Sequence, residues 1–288
     1  MSTWLNTLCK RMKYDRESWK RWRIVVANGI RAGGILGCVI LGFMNSQSAL
    51  ALSIGSEAPD FYANSTNGEI HFHEELEGRY SILFSHPQDF TPVCTTEIGE
   101  LARRIGEFQR RKTSLYILSI NTVDEHNRWA KDINRFLNQD SDKPLPFALL
   151  GNSPGFDSVI DIARRYSMLP GGPGEDRGPD IKNDGYGSAK DNATVRTVFI
   201  IGPDKHIRLT MAYPMTVGRN VDEILRTLDA IQFADRTGLA TPVNWKPGES
   251  GIVPPGMTDE EAREKYENVI KVNDYLRYAS DLKQMSGG

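Results

Sequence analysis

From Tyr80 onward the sequence alternates short apolar segments with segments of helical periodicity, and this alternation restricts the chain to few folds. The apolar segments that predict strands are 80–85, 115–120, 146–150, 194–201 and 207–212. The helices predicted between and after them are 97–109, 124–137, 156–166 and 221–233. Strands that alternate with helices favour an α/β layer fold in which at least part of the sheet is parallel.

Local signals mark where some of these elements begin and where they are interrupted. Thr122 and Glu125 form a capping-box pattern at the start of the second predicted helix. Residues 169–193 are rich in glycine, proline and charge and have no periodicity, which predicts a long surface loop.

The C-terminal tail has a composition of its own. Several prolines break it up, and Thr258 with Glu261 forms a second capping-box pattern that predicts a short helix at 260–268. The tail is too short for a separate core, so it must pack on the main domain or on another subunit. We therefore expect one domain at 52–236 and a smaller one at 237–288.

The first 51 residues are a different kind of sequence from the rest. They hold eight Lys/Arg and only two Asp/Glu, residues 33–44 carry no charge, and a small-x-small site ends at Ala51. These are the three parts of a secretory signal, which predicts cleavage near Ala51 and an exported or lumenal protein. The alternative is a retained membrane anchor at residues 24–44, and only then do we expect contact with a membrane.

Cys94 is the candidate nucleophile among the three cysteines of the chain. Cys9 and Cys38 lie in the N-terminal segment, and three scattered cysteines form neither a disulfide framework nor a zinc site. Thr91 and Pro92 predict a helix start, which places Cys94 in the first turn. Unpaired backbone N–H groups and the helix dipole favour a thiolate there. The alternative is a buried, inert cysteine, against which its polar neighbours argue.

Residues 85–97 read Ser-His-Pro-Gln-Asp-Phe-Thr-Pro-Val-Cys-Thr-Thr-Glu. This segment resembles the active-site signature of the peroxiredoxins, Pro-x-x-x-Thr-x-x-Cys, met by Pro87, Thr91 and Cys94, and its full length resembles the 1-Cys subfamily. Four downstream segments are similar to landmarks of that subfamily: 193–205, 213–220, 240–245 and 275–278. The resemblance implies a thioredoxin-like fold, a mixed central sheet flanked by helices, with a smaller C-terminal dimerisation segment and hence a homodimer.

The resemblance also implies a mechanism. Cys94 would attack hydrogen peroxide, or an alkyl or lipid hydroperoxide, and become a sulfenic acid. Arg196 would stabilise the thiolate and bind the peroxide, Thr91 would hydrogen-bond both, and Pro87 would shield the site. Without a second cysteine in the mature chain, an external thiol such as glutathione, thioredoxin or a glutaredoxin-like protein would reduce the sulfenic acid. No cofactor is implied.

Two further residues are candidates for a supporting role in this site. His86 precedes Pro87 and could orient the loop, or it could be a structural histidine. Arg219 lies in a segment that the resemblance places near the active site. We expect it to form a structural ion pair rather than to act directly in catalysis.

The remaining histidines do not predict a metal site. His71 and His73 are expected on one face of a strand, and two ligands without a third make a poor site. His126 and His206 are expected on the surface. We therefore predict no metal.

Other functions stay open as alternatives. Cys94 could serve a redox sensor or a holdase chaperone without turnover, or a cysteine hydrolase with His86, although no Asn or Asp at a recognisable spacing would orient that histidine. Some 1-Cys peroxiredoxins carry a phospholipase serine. Its position here is Arg79, and Ser81 is not equivalent, so we do not expect that activity. The net charge of −2 does not favour a nucleic-acid partner.

Overall fold

The computed structural model describes residues 52–76, 78–169 and 194–283. The predicted signal or anchor, with Cys9 and Cys38, and the predicted surface loop from residue 170 onward lie outside the described residues. The elements in chain order are β1 (Tyr62–Ser65), β2 (Gly68–His71), α1 (Phe72–Glu75), β3 (Tyr80–Ser85), α2 (Pro92–Arg103), α3 (Ile105–Arg110), β4 (Thr113–Thr122), α4 (Val123–Phe136), β5 (Ala148–Asn152), α5 (Val159–Arg165), β6 (Arg196–Ile201), β7 (Ile207–Tyr213), α6 (Val221–Thr237), β8 (Gly251–Ile252), α7 (Asp259–Lys265), β9 (Ile270–Lys271) and β10 (Arg277–Ala279).

Within the described part of the chain, seven strands form one mixed sheet in the order β2-β1-β5-β4-β3-β6-β7. The three central strands β5, β4 and β3 are parallel to one another, and β6 runs antiparallel to β3. A parallel pair needs a crossover connection, which α2 with α3 supplies between β3 and β4, and α4 between β4 and β5. The predicted α/β layer fold with a partly parallel sheet is confirmed.

Strand β3 separates two hydrophobic clusters. Ile82 and Phe84 pack on one side with α2, α4 and α6, whereas Leu83 packs on the other side with α1 and α5. Successive side chains of a strand point to opposite faces, so a strand buried on both faces has consecutive apolar residues, as β3 does at Ile82, Leu83 and Phe84. This pattern explains why β3 was predicted with its observed bounds, and Cys94 belongs to the first of the two clusters.

The helix predicted at 97–109 is two helices in the structure. It begins earlier, at Pro92, and it breaks at Arg104, whose guanidinium donates to Glu107 at 2.7 Å and to Asp222 at 2.5 Å. The apolar side chains Ile105 and Phe108 beyond the break still pack into the first cluster. Because the apolar stripe continues across the break, the periodicity does not reveal it.

Both predicted capping boxes are confirmed. Thr122 Oγ1 accepts a bond from Glu125 N at 3.2 Å, and Glu125 Oε2 accepts from Thr122 N at 2.8 Å. Thr258 and Glu261 make the same reciprocal pair at the start of α7. Helix α7 ends at Lys265, three residues before the predicted end.

His71 and His73 do not share a strand face, so that prediction is wrong. Strand β2 ends at His71, whose ring stacks on Tyr62 at 4.3 Å. Phe72 begins α1 and is fully buried, because the chain turns there to insert its ring into the second cluster. His73 Nε2 then lies 2.6 Å from the carbonyl oxygen of Ala58.

The C-terminal tail packs on helix α6. Phe233 of α6 joins one small cluster with residues of the tail: Leu239, Trp245, Val253, Ala262, Tyr266 and Ala279. Strands β8, β10 and β9 form a small sheet in this tail. Helix α6 ends at Thr237 and is followed by Gly238 at the C-cap with a positive φ of 75°. The predicted boundary between residues 236 and 237 lies at the end of this helix. No helix in residues 52–283, as far as they are described, is both long and apolar enough to cross a bilayer.

Candidate active site

Cys94 lies where a central strand passes into a helix. Strand β3 ends at Ser85, a six-residue loop follows, and α2 begins at Pro92 with Thr91 in an extended conformation at the N-cap. Cys94 is therefore in the first helical turn, as predicted, and its side chain is fully buried. Pro87 in the preceding loop is buried as well.

Thr91 occupies the N-cap position without capping the helix through its side chain. Its hydroxyl donates instead to the carbonyl oxygen of Gln88 at 2.9 Å. A hydroxyl has one proton to donate. The bond from Thr91 to the sulfur that we expected is therefore not made in this arrangement.

Arg196 brings a positive charge to the sulfur. It is the first residue of β6, which pairs with β3, and its Nη1 lies 3.3 Å from Cys94 Sγ. The guanidinium is held on both sides, because Nη1 also donates to Glu97 Oε2 at 2.7 Å and Nε donates to the carbonyl oxygen of Met215 at 2.8 Å. The sheet thus joins two residues that are 102 positions apart.

Glu97 is the residue of this site to which the sequence assigned no role. Its buried carboxylate accepts hydrogen bonds from Arg196 and also from Arg219, which is buried too. The one sequence signal is its position one helical turn after Cys94, which places both side chains on the same face of α2. A charged residue on the buried face of a helix needs a partner of opposite charge, and here it has two.

Arg219 forms the ion pair that was expected of it. In addition to its bonds with Glu97, its Nη1 donates to the carbonyl oxygens of Ser85 at 2.7 Å and Thr197 at 3.1 Å. The guanidinium carbon lies 3.2 Å from the ring centre of Phe84. Burial lowers the pKa of Arg219 to about 10, and Glu97 opposes that shift. These contacts tie α2 to the ends of β3 and β6.

His86 lies beside this site without a hydrogen bond to Cys94. Its imidazole is fully buried and packs on Trp129 at a ring-centre distance of 5.0 Å. Burial lowers its pKa well below 6.5, and the charges of His126, Arg219 and Arg196 act in the same direction, so the ring is neutral at pH 7. Neither ring nitrogen has a hydrogen-bond partner among the described residues, which leaves the hydrolase alternative without its base.

His126 is buried, so its predicted position on the surface is wrong. Its Nδ1 lies 2.7 Å from Asp89 Oδ2 and its Nε2 lies 3.1 Å from the carbonyl oxygen of Leu150. Its spacing of three positions from Trp129 and seven from Ile133 puts all three side chains on the buried face of α4. The side chain of His206 is 43% exposed, as predicted.

His86, Asp89 and His126 together form a fully buried set of potential metal ligands. Their nitrogen and carboxylate oxygen atoms lie within 4.8 Å of one another. The prediction that no metal binds assumed that His126 is on the surface, so it did not consider this set.

The serine alternative finds no support in the site. Ser81 lies inside β3, where it pairs with Ser114 on one side and Ile201 on the other, and it is fully buried. Arg79, which stands at the position of the phospholipase serine, is exposed.

Known proteins resemble this chain over most of its length. A model of the AhpC/TSA family matches residues 54–210, and a model of the C-terminal domain of 1-Cys peroxiredoxin matches residues 230–268. Peroxiredoxin-6 of Rattus norvegicus is 41% identical over 233 residues, which are 79% of this chain and 96% of that protein. The mitochondrial peroxiredoxin PRX1 of Saccharomyces cerevisiae is 40% identical over 79% of this chain and 80% of its own.

Two solved structures share the fold and much of the sequence. One comes from work on thiol resolution in the yeast mitochondrial 1-Cys peroxiredoxin by the glutathione and thioredoxin systems. It has a TM-score of 0.66 and 38% identity, and covers 80% of this chain and 100% of that one. The other is a cysteine-to-serine mutant of peroxiredoxin 6 from Arenicola marina, with a TM-score of 0.69 and 35% identity, and it covers 81% of this chain and 100% of that one.

Proposed function

Because the chain belongs to the AhpC/TSA family and carries the C-terminal domain of the 1-Cys peroxiredoxins, we propose that Cys94 is its peroxidatic residue and Arg196 the main group that activates it. The protein is a thiol-dependent peroxidase that works with a single cysteine. The observation that carries the assignment of residues is the contact of 3.3 Å between Arg196 Nη1 and Cys94 Sγ.

The reaction follows from that contact. The Cys94 thiolate attacks one peroxide oxygen, the O–O bond breaks, and the other oxygen leaves as water or an alcohol after taking up the peroxide proton. The sulfur is oxidised to a sulfenate, which becomes a sulfenic acid when it takes up a proton from solvent. The permanently charged guanidinium stabilises the thiolate before attack and offers N–H donors to the oxygens on which negative charge develops.

Thr91 and Pro87 shape the approach to the sulfur. We expect the Thr91 hydroxyl to leave the Gln88 carbonyl and to donate to the thiolate or to a peroxide oxygen once the substrate is bound. The buried Pro87 has no N–H to solvate and excludes water from the loop. Arg219 makes no hydrogen bond to the sulfur and holds Glu97, which in turn binds Arg196, so it is a positioning residue.

An external thiol completes the cycle. Cys94 is the one free cysteine in the part of the chain that the structure describes, so an internal disulfide has no second thiol there. The yeast relative is resolved by the glutathione and thioredoxin systems. We propose a reductant of the same chemistry for this chain, which forms a mixed disulfide with Cys94 and releases it through a second thiol.

The edge of the main sheet supports a homodimer. Strand β7 is the last strand of the sheet. Gly55 and Ser56 bond to its first residue, Ile207, and the rest of its outer edge pairs with no strand in the described residues. An open edge pairs readily with another strand, and in a two-fold dimer the same strand of a second copy is the partner that closes it. Sedimentation of the protein would measure this state, and a monomer at micromolar concentration would exclude it.

The sequence of the N-terminal segment supports two alternatives, a cleaved export signal and a membrane anchor. We propose that residues 1–51 direct export and are cleaved near Ala51, with a membrane anchor at residues 24–44 as the alternative. Both rest on the basic and apolar order of the segment. Mass analysis of the mature N-terminus separates them, since cleavage leaves a chain that begins near Leu52.

Peroxide consumption with dithiothreitol as reductant tests the proposed function. We expect turnover by the wild type, none by Cys94→Ser, and a strong loss in Arg196→Ala. Normal turnover by Cys94→Ser would remove Cys94 from the mechanism. Fast oxidation of Cys94 without turnover would instead identify a redox sensor.

A further inference from the structure

The hydrogen bonds of His126 require a proton or a metal ion between its ring and Asp89. Its Nε2 lies 3.1 Å from the carbonyl oxygen of Leu150, which can only accept, so Nε2 carries the hydrogen. In a neutral ring Nδ1 then carries a lone pair. That lone pair faces Asp89 Oδ2 at 2.7 Å, and two acceptors approach so closely only when a proton or a metal ion lies between them.

His86 offers a third ligand beside this pair. It is fully buried, and neither of its ring nitrogens has a hydrogen-bond partner in the described part of the chain. Asp89 Oδ1 has none there either, and it lies 3.6 Å from His86 Nε2. A buried polar group without a partner destabilises the fold, so two such groups that face each other point to a ligand that binds both.

The distances fit a transition metal. A metal ion with bonds of about 2.1 Å holds neighbouring ligand atoms roughly 3.0–3.4 Å apart. The separations of 2.7 Å between His126 and Asp89 and of 3.6 Å between His86 and Asp89 lie on either side of this range. The ligand atoms of all three side chains lie within 4.8 Å of one another, so the two histidine rings would have to close on the carboxylate to complete the coordination.

The groups around Asp89 and His126 hold these two side chains in the orientation that a metal needs. Metal-binding histidines usually donate their second N–H to a carbonyl or carboxylate, as His126 does to Leu150. The loop beneath Asp89 is fixed because Asp89 N donates to Asn121 Oδ1 at 3.0 Å.

We propose that His86 Nε2, the Asp89 carboxylate and His126 Nδ1 bind one divalent transition-metal ion, for which Zn²⁺ is the fitting choice. Two imidazoles and one carboxylate are a common zinc ligand set, with the fourth position left to water or a further ligand. The ion replaces the proton between Asp89 and His126, and that proton is released to solvent. The proposal is independent of the peroxidase mechanism.

The site would tie the loop before Cys94 to helix α4. His86 and Asp89 belong to this loop, and His126 belongs to α4. Trp129 of the same helix donates from Nε1 to Thr95 Oγ1 at 3.2 Å, next to Cys94. A bound ion would therefore stiffen the loop that leads into Thr91.

The test is titration of the full-length, EDTA-treated protein with Co²⁺, followed by its visible absorption, and with Zn²⁺ in a calorimeter. We expect about one ion per chain and one proton released. His126→Gln and Asp89→Asn should each weaken binding at least about 10-fold. His206→Gln should leave it unchanged, because this exposed histidine lies outside the set.

Two further measurements keep the result unambiguous. Thiolate binding by the cysteines would add a sulfur-to-cobalt charge-transfer band, and that band with unchanged binding in His126→Gln would overturn the proposal. If a variant does not fold, ¹⁵N NMR of the wild-type histidines decides, since Zn²⁺ should shift the Nδ1 signal of His126. If neither that shift nor binding is observed, only a proton lies between Asp89 and His126, and the proposal is wrong.

Discussion

Arg219 encloses the carboxylate of Glu97. Its main-chain N and its Nε donate to Oε1 at 2.8 and 2.9 Å, and its Nη2 donates to Oε2 at 2.8 Å. The guanidinium of Arg196 shares Oε2 at 2.7 Å and reaches Cys94 Sγ from the same nitrogen. One buried carboxylate thus balances the charge of only one of the two guanidinium groups, so a net positive charge remains beside the thiolate.

Removal of the Glu97 charge should destabilise the fold. Glu97→Gln leaves two buried guanidinium groups without their common counter-charge, and breaking a buried ion pair costs about 3–5 kcal/mol. The free energy of unfolding in urea measures this loss. Glu100→Gln on the same helix is the matched control, because its partly exposed pair with Arg103 should be worth less than about 1 kcal/mol. Equal losses in the two variants would contradict the role given to Glu97.

Lysine should not replace Arg196. The three contacts of Arg196, with the sulfur, Glu97 and the Met215 carbonyl, need the fixed fork of a guanidinium, whereas an ammonium is a single point donor. Arg196→Lys should slow the reaction of Cys94 with peroxide by about 10²–10³-fold, the cost of losing one donor to a developing anion. Stopped-flow tryptophan fluorescence measures the rate.

Arg208→Lys is the control for that substitution. Arg208 lies on the neighbouring strand β7 and pairs with Asp204 and Asp235 at the surface. The rate of peroxide reaction in Arg208→Lys should stay within about twofold of the wild-type rate. A normal rate in Arg196→Lys would show that charge alone, without the geometry of the fork, activates the sulfur.

Much of this site follows from local signals, and the rest depends on contacts between distant residues. The helix start at Pro92 and the capping box at Thr122 are written in consecutive residues, so the sequence predicts them. The bonds of Arg219 to Glu97 join residues 122 positions apart. Hydrophobic periodicity along the sequence gives no signal for a pair of residues so far apart.

The burial of His126 could have been predicted from its spacing to Trp129 and Ile133. The close approach of β5, which brings the Leu150 carbonyl to its ring, could not. Gly151 permits this approach, because a Cβ there would lie 2.9 Å from His126 Cδ2.

The Thr91 hydroxyl should matter for the rate more than for the fold. In the structure it donates to the Gln88 carbonyl at the edge of the loop. Thr91→Val removes the hydroxyl that should turn to the sulfur, and we expect peroxide reaction to slow by about 10²-fold. Thr91→Ser should restore most of the rate, since it keeps the hydroxyl. Thr96→Val, which removes a hydroxyl that bonds only to the Val93 carbonyl at 2.7 Å, is the matched control.

Alanine substitutions at two glycines should change stability in opposite directions, one through close packing and the other through helix propensity. A Cβ at Gly151 would lie 2.6 Å from Val123 N and 2.8 Å from Thr122 C. These are backbone atoms that cannot rotate away, so Gly151→Ala should destabilise the protein by about 1–3 kcal/mol. Gly106 in α3 has as its nearest neighbour only the flexible end of Arg110, at 3.8 Å. Gly106→Ala should therefore stabilise by up to about 1 kcal/mol through helix propensity, and urea unfolding of the two variants should show opposite signs. Stabilisation by Gly151→Ala would mean that α4 does not pack on β5 as closely as the structure shows.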